Sequence, residues 1–323
     1  MTATEDNLPT LTSVREASQL IRPLVHLTPV LESEAISQRV GTKVSFKCEN
    51  FQKVGAFKFR GACNAVFSLD ESQARHGFIT HSSGNHAQAL ALAAKLRGAQ
   101  ATIVMPDNAP VIKRRAVEGY GGDIHMCEST QTAREAAVDA LQAEAPKTLV
   151  HPYDDDKIIA GQGTAALELL SQAPTVDAIM APVGGGGLLA GSALAATSVP
   201  GVRTFGAEPE QADDAARSFH SGKRIEEAVP NTIADGLRTC LGVKNFAIIQ
   251  SGVSDILTVS EDSIVEAMRL IWERMKVVAE PSGAVPLAVL LEHGVPAGCK
   301  HIGLIISGGN VDLDKLPWMS GRQ

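Results

Sequence analysis

Along most of the chain, short apolar and β-branched runs alternate with longer stretches rich in alanine and leucine. Phe78-Ile79-Thr80 precedes a helical stretch at 87–97, and residues 101–105 read as a strand stopped by Pro106. Residues 113–118 read as a helix, after which Gly119-Tyr120-Gly121-Gly122 turns the chain into Ile124-His125-Met126. A helix over 130–144 leads to Thr148-Leu149-Val150. After Pro152 the rhythm resumes with a helix at 163–170, a strand at 178–183, a glycine run and a helix at 188–196. A strand at 203–207, a helix at 262–275 and a strand at 302–306 follow. Strands alternating with helices predict an α/β fold of open, twisted parallel sheets covered on both faces. The expected division is a smaller domain, 76–151, inserted into a larger one made of 1–75 and 152–323.

Composition narrows the functional class. At 323 residues and 44% hydrophobic content the chain can build two joined cores. Its net charge of −7, with no dense basic run, argues against nucleic acid or an anionic membrane as partner. Five scattered cysteines without C-x-x-C spacing suggest free thiols in a reducing, cytoplasmic setting. The acidic start, Met1 to Asp6, does not read as a signal peptide, and no apolar stretch approaches membrane-spanning length.

The candidate chemistry sits in one lysine and three polar, glycine-bearing loops, which fall where strands end and ligands of such sheets collect. Gly184-Gly185-Gly186-Gly187 lies between a strand and a helix, where amides can approach an anion at the positive helix end. The same run can be a plain connection. It can also be a dinucleotide loop with Glu208 about 20 residues on, though its place deep in the chain weighs against that. Ser82-Ser83-Gly84-Asn85-His86 offers helix-start amides to a carboxylate, or an ordinary N-cap. His86 alone reads as structural. Lys58, between Phe57 and Phe59, either snorkels to solvent or is desolvated and so suited to Schiff-base chemistry. Ser307, after the apolar strand and before Gly308-Gly309-Asn310, offers a neutral partner to a pyridine nitrogen. Together the four pieces point to pyridoxal phosphate.

On these residues the chain resembles the fold-type II pyridoxal-phosphate enzymes, whose fold is tryptophan synthase β-like, over nearly its whole length. Within them it is similar to the serine racemase and serine/threonine dehydratase group. The matching stretches are Lys47-Cys48-Glu49-Asn50-Phe51-Gln52-Lys53 leading to Lys58, 82–88, Gly161-Gln162-Gly163-Thr164 and Gly184 to Leu188. Asn231-Thr232-Ile233-Ala234-Asp235-Gly236, Glu280-Pro281-Ser282-Gly283 and 307–312 match as well. Threo-3-hydroxyaspartate dehydratases share several of these motifs. The resemblance implies Lys58 as the cofactor-linked lysine, with Phe57 packed on the ring and Asn85 bonding its oxygen. Gly184, Gly185, Gly186, Gly187 and Leu188 would bind the phosphate, and Ser307 would face the ring nitrogen beside Gly236 and Glu280. Ser82, Ser83, Asn85 and His86 would receive the substrate carboxylate, with Arg134 and Thr239 also at the substrate.

Racemisation needs an acid/base group on each face of Cα. Lys58 would serve one face and Ser83 the other. A serine at 83 also occurs in hydroxyaspartate dehydratases, so it permits racemisation without proving it. The resemblance further implies Mg²⁺ or Ca²⁺ (Mn²⁺ as a third choice) held by Glu208, Asp214 and the Ala212 carbonyl, and a homodimer. A related nucleotide site matches at Lys53, Gln88, Tyr120, Lys276 and Asn310 but departs at Glu34, Ala35 and Val54. Glu34 places a negative charge near a triphosphate, so ATP activation is expected to be weak or absent. The expected activity is interconversion of L- and D-serine, accompanied by dehydration of serine, and of threonine as a further substrate. The alternatives are a serine/threonine or 3-hydroxyaspartate dehydratase with little racemisation, or, outside the family, a non-catalytic nucleotide-binding α/β protein.

Overall fold

The computed structural model describes residues 8–82, 84–109 and 111–319. Among them ten strands form two sheets: β1 (Val30–Glu32), β2 (Lys43–Cys48), β3 (Phe78–His81), β4 (Ala101–Pro106), β5 (Asp123–Cys127), β6 (Thr148–Leu149), β7 (Ala178–Pro182), β8 (Arg203–Pro209), β9 (Asp255–Val259) and β10 (His301–Ile306). The six-stranded sheet has the order β1-β2-β10-β7-β8-β9 and the four-stranded sheet the order β5-β4-β3-β6. Every pairing is parallel except β1 with β2.

Parallel strands bury both faces, and the side chains divide accordingly. Met180 and Leu304 point into one core, shared with Ile264 and Leu287 of the helices Glu261–Leu270 and Pro281–His293. Their neighbours Ile179 and Ile305 point into the other, with Leu169, Leu189 and Ile248. A third core joins the four-stranded sheet to the helices Lys58–Phe67 and Asn85–Arg97 through Phe59, Val66, Phe78, Leu90 and Ile103.

Several elements differ at their ends from the sequence reading, most of all the helix expected at 163–170, which runs over Asp156–Gln172. Pro106 is the last residue of β4 rather than its stop, since Met105 and Pro106 still register with Met126 and Cys127. The helix expected at 262–275 is α-helical only over Glu261–Leu270 and widens to a π-helix at Ile271–Met275, ending at Lys276 with φ 59°.

The helix that begins at Lys58 is fixed on two sides. A Cβ on Gly161 would stand 2.6 Å from Gly61 Cα, so this helix and Asp156–Gln172 meet backbone to backbone. Arg60, fully buried, grips Glu49 through Nε and Nη2 at 2.7 and 2.9 Å and Glu168 through Nη1 and Nη2 at 2.8 and 2.7 Å. Lys47 reaches the same Glu168 at 2.6 Å. Two cations and two carboxylates neutralise one another inside the protein, which is what makes their burial tolerable.

Candidate active site

Lys58 emerges where three loops meet. The Phe57 amide donates to the Ser307 carbonyl at 2.9 Å, and Gly309 N–H donates to the Gly55 carbonyl at 2.9 Å. Asn310 Nδ2 donates to the Val54 carbonyl at 2.7 Å, holding Val54 at φ 58°, a backbone region costly for a β-branched residue. These bonds seat the lysine loop on the segment after β10. The half-buried Lys58 amine donates to the Pro152 carbonyl at 2.8 Å and lies 5.1 Å from the Phe57 ring centre. Loss of hydration pulls its pKa down to about 8. Near neutrality this amine therefore has an appreciable neutral, nucleophilic fraction.

Facing it, β3 ends at His81 and the helix Asn85–Arg97 begins. Asn85 closes a ring of hydrogen bonds: Nδ2 donates to Glu280 Oε1 at 2.9 Å, while Oδ1 accepts from Asn310 Nδ2 at 2.9 Å. The Asn310 amide completes the ring on Glu280 Oε2 at 3.0 Å. Burial, with the nearby Asp235 charge, pushes Glu280 up to about 8. Ser82 is half-buried, its Oγ 3.4 Å from the Gly84 amide. Ser83 lies outside the described residues. The His86 ring is held as a structural histidine would be: Nε2 is 3.2 Å from the Val150 carbonyl, so that nitrogen carries the hydrogen. Nδ1 is then bare and, among the described residues, unpartnered, and burial holds the ring pKa well below the usual range. A carboxylate arriving here meets the backbone amides of Asn85, His86 and Ala87, not an imidazolium.

The glycine loop follows β7 and opens the helix Gly187–Ala196, whose first-turn amides have no intrahelical acceptor. Gly185 lies against the Tyr153 ring, where a Cβ would come within 2.2 Å of it. Thr239 Oγ1 lies 3.4 Å from the Cβ position of Gly184, so Thr239 borders the loop. Gly236 N–H donates to Ser282 Oγ at 3.1 Å on the same side. Ser307 is buried directly after β10, its carbonyl engaged with Phe57 as above. Arg134 has its Nε turned back on the Thr130 carbonyl at 3.3 Å, and its charge adds a little to the burial that holds the His81 ring below the usual imidazole range.

Glu208, near the end of β8, and Asp214, at the start of the helix that follows, are both buried, and Ala212 lies buried between them in sequence. Glu208 accepts the Ala215 and Ala216 amides at 3.0 and 2.8 Å, and burial with the Asp214 charge raises its pKa well above the carboxylate range. Asp214 rises to about 6, mainly through burial, and its Oδ2 has no partner among the described residues. Two buried carboxylates with an unused oxygen fit a hard cation. No cluster of three or more His, Cys, Asp or Glu side chains disposed to hold a metal occurs among the described residues.

Residues 21–308 match the family model described as pyridoxal-phosphate dependent enzyme. The chain belongs to that family. It is 50% identical to a serine racemase of Arabidopsis thaliana, with 94% of each chain covered. It is 48% identical to a β-hydroxyaspartate dehydratase of Paracoccus denitrificans, over 96% of this chain and 99% of that one. The solved maize serine racemase superposes with a TM-score of 0.94 at 47% identity, over 97% of this chain and 96% of that one.

The lysine, the polar loop and the glycine loop suit pyridoxal phosphate: a poorly hydrated amine, anion-seeking amides at two helix starts, and glycines with no room for a side chain. Several residues that shape this enzyme's site carried no signal in the sequence. Pro152 supplies only a backbone carbonyl, and Tyr153 follows no recognisable pattern. Asp154 caps the helix Val243–Gly252 by accepting the amides of Val243, Lys244 and Asn245 at 2.9, 3.0 and 3.3 Å. Only the aspartate before a helix could have been noticed, and its helix lies about 90 residues away.

Proposed function

We propose that this enzyme interconverts L- and D-serine and also eliminates water from serine, and from threonine, giving the 2-oxo acid and ammonia. The observation that carries this is the desolvated Lys58 amine, set opposite a polar helix start in a chain about half identical to serine racemases. Bound pyridoxal phosphate would supply the electron sink that acidifies a substrate's Cα–H. Lys58 Nζ takes or returns the Cα proton on one face, and the Ser83 hydroxyl serves the other. Phe57 packs on the cofactor ring, Asn85 bonds its oxygen, and Ser307, Gly236 and Glu280 line the nitrogen side. Gly184 to Leu188 take the phosphate. Ser82 and the amides of Asn85 and His86 hold the substrate carboxylate, and Arg134 and Thr239 complete the substrate site as residues 76–151 close on the rest of the chain. When the β-hydroxyl leaves before Cα is reprotonated, elimination replaces racemisation.

Glu208, Asp214 and the Ala212 carbonyl are proposed to hold Mg²⁺ or Ca²⁺, supported by the unpartnered Asp214 oxygen. A homodimer is supported by Leu27, Phe51 and Val278, exposed around the contacts of His26 with Phe51 and of Asn50 with Val278. A single-chain mass in sedimentation would rule it out. The five free cysteines suit a cytoplasmic setting, which cell fractionation would test, and no described helix is long and apolar enough to cross a membrane.

The second reading, a 3-hydroxyaspartate dehydratase with little racemisation, is favoured by the 48% identity to the Paracoccus denitrificans enzyme. Chiral chromatography of L-serine reactions, with keto-acid detection and threo-3-hydroxyaspartate as competing substrate, separates the two. D-serine together with pyruvate supports the proposal, with Lys58→Ala making neither. Oxaloacetate from hydroxyaspartate without D-serine from L-serine would support the second reading.

A further inference from the structure

A loop that cradles an anion through its amides must turn its carbonyls away, and one residue here does the turning. The Gly185 carbonyl accepts Asn245 Nδ2 at 2.7 Å and the Gly242 amide at 3.1 Å. Asn245 is fully buried, and its Nδ2 also donates to the Tyr153 carbonyl at 2.9 Å. Two carbonyl oxygens within hydrogen-bond distance settle which end of the amide is nitrogen. In a planar trans peptide the N–H of the next residue points opposite to the carbonyl. Pinning the Gly185 carbonyl on the helix Val243–Gly252 therefore aims the Gly186 N–H the other way. Gly186 itself, at φ +94°, packs so closely that a Cβ would stand 2.9 Å from Asn245 Cβ. Asn245 is in turn held by Asp154, which accepts its amide and those of the two residues before it.

We infer that Asn245 is a positioning residue for the cofactor phosphate, holding the Gly185–Gly186 peptide so that its N–H faces the anion. The same side chain binds the Tyr153 carbonyl, one residue from the Pro152 carbonyl that receives Lys58, so it ties the phosphate loop to the lysine's own support. The inference rests on the reading of Gly184 to Leu188 as the phosphate site.

The experiment titrates cofactor-stripped protein with pyridoxal phosphate and, separately, with pyridoxal, following absorbance, for the natural chain, Asn245→Asp and Asn245→Ser. Asn245→Asp keeps the shape but replaces the donor by oxygens that repel the Gly185 carbonyl. It is expected to weaken pyridoxal phosphate binding by on the order of tenfold or more, with pyridoxal binding nearly unchanged. Asn245→Ser, which keeps one donor in a smaller and more easily folded variant, is expected to fall between. Equal losses for both ligands would make Asn245 merely structural, and unchanged phosphate-ligand affinity in either folded variant would overturn the inference. A natural chain that binds pyridoxal as tightly as pyridoxal phosphate, with no competition from inorganic phosphate, would instead remove the phosphate-loop reading, and this inference with it.

Discussion

Glu280 shows how far a residue's chemistry depends on partners the sequence does not reveal. Read alone, it is a carboxylate opening an apolar helix. In the fold it is buried, accepts Asn85 and Asn310, and is raised to about 8, chiefly by burial. Between the ordinary carboxylate range and about 8, the folded cofactor-free protein holds a proton that the unfolded chain has released. The unfolded state binds fewer protons there, so stability falls as pH rises through that window, by at most about 1.4 kcal/mol per pH unit. Glu208 and Asp214 slope the same way, so the difference between the natural chain and Glu280→Gln isolates Glu280. Urea unfolding of the cofactor-free forms from pH 5 to 8 should show a flatter curve for Glu280→Gln. Parallel curves would mean Glu280 is ionised throughout. Lys58 and Asn85 could be singled out in the sequence because their motifs are local. The His86 ring, read alone as structural, finds its partner in the Val150 carbonyl just after β6, and Asn245 was invisible because its partners also lie far away in sequence.

Among the elements, those whose sequence alternates cleanly were legible: β3 to β8 and β10, with the helices from Asn85 to Ala196 and the one at Glu261–Leu270, whereas Asp214–Ser221 and Val243–Gly252 were not read. The first 75 residues were not. The helix Lys58–Phe67 is buried on nearly every side, so it has no polar stripe to mark a helical period. β2 carries Lys47 on a buried position, which reads as exposed until Glu168 is seen beside it. Pro281–His293 contains Gly283 and Pro286, both breakers, and is covered by packing that outweighs propensity. β9 is a partly exposed strand at the edge of its sheet and was not read. The loop from β8 into the helix Asp214–Ser221 gives the test at this scale. Two buried carboxylates without a cation should leave the cation-free protein less stable, and Mg²⁺ or Ca²⁺ should raise its melting temperature by on the order of several degrees. Glu208→Gln with Asp214→Asn should abolish that response. A natural chain melting identically in excess chelator and in millimolar cation would exclude the site.

For the molecule as a whole, the site lies where the two sheets meet, and polar bonds cross between them. Asn85 belongs to the helix after β3 but bonds Glu280 and Asn310, and Lys113 pairs with Asp235. A ligand at the neighbouring nucleotide positions would act on these connections, yet Glu34 opens the helix Glu34–Val40 at the surface and Val54 offers no hydroxyl. A like charge beside a triphosphate costs on the order of 1 kcal/mol when partly shielded from water. Turnover should therefore change little with ATP, and calorimetry showing micromolar binding with a several-fold gain in rate would contradict this. The proposed division of labour is the central claim: Lys58 would serve one face of the substrate Cα and Ser83 the other. The direct measurement is keto-acid formation from each serine enantiomer, with solvent deuterium exchange at Cα, in Ser83→Ala. Loss of one positioned acid/base group costs about 10²–10⁴-fold. Interconversion and elimination from D-serine should fall by that order, while elimination from L-serine persists through Lys58. Equal losses for both enantiomers, or racemisation that survives the substitution, would contradict it.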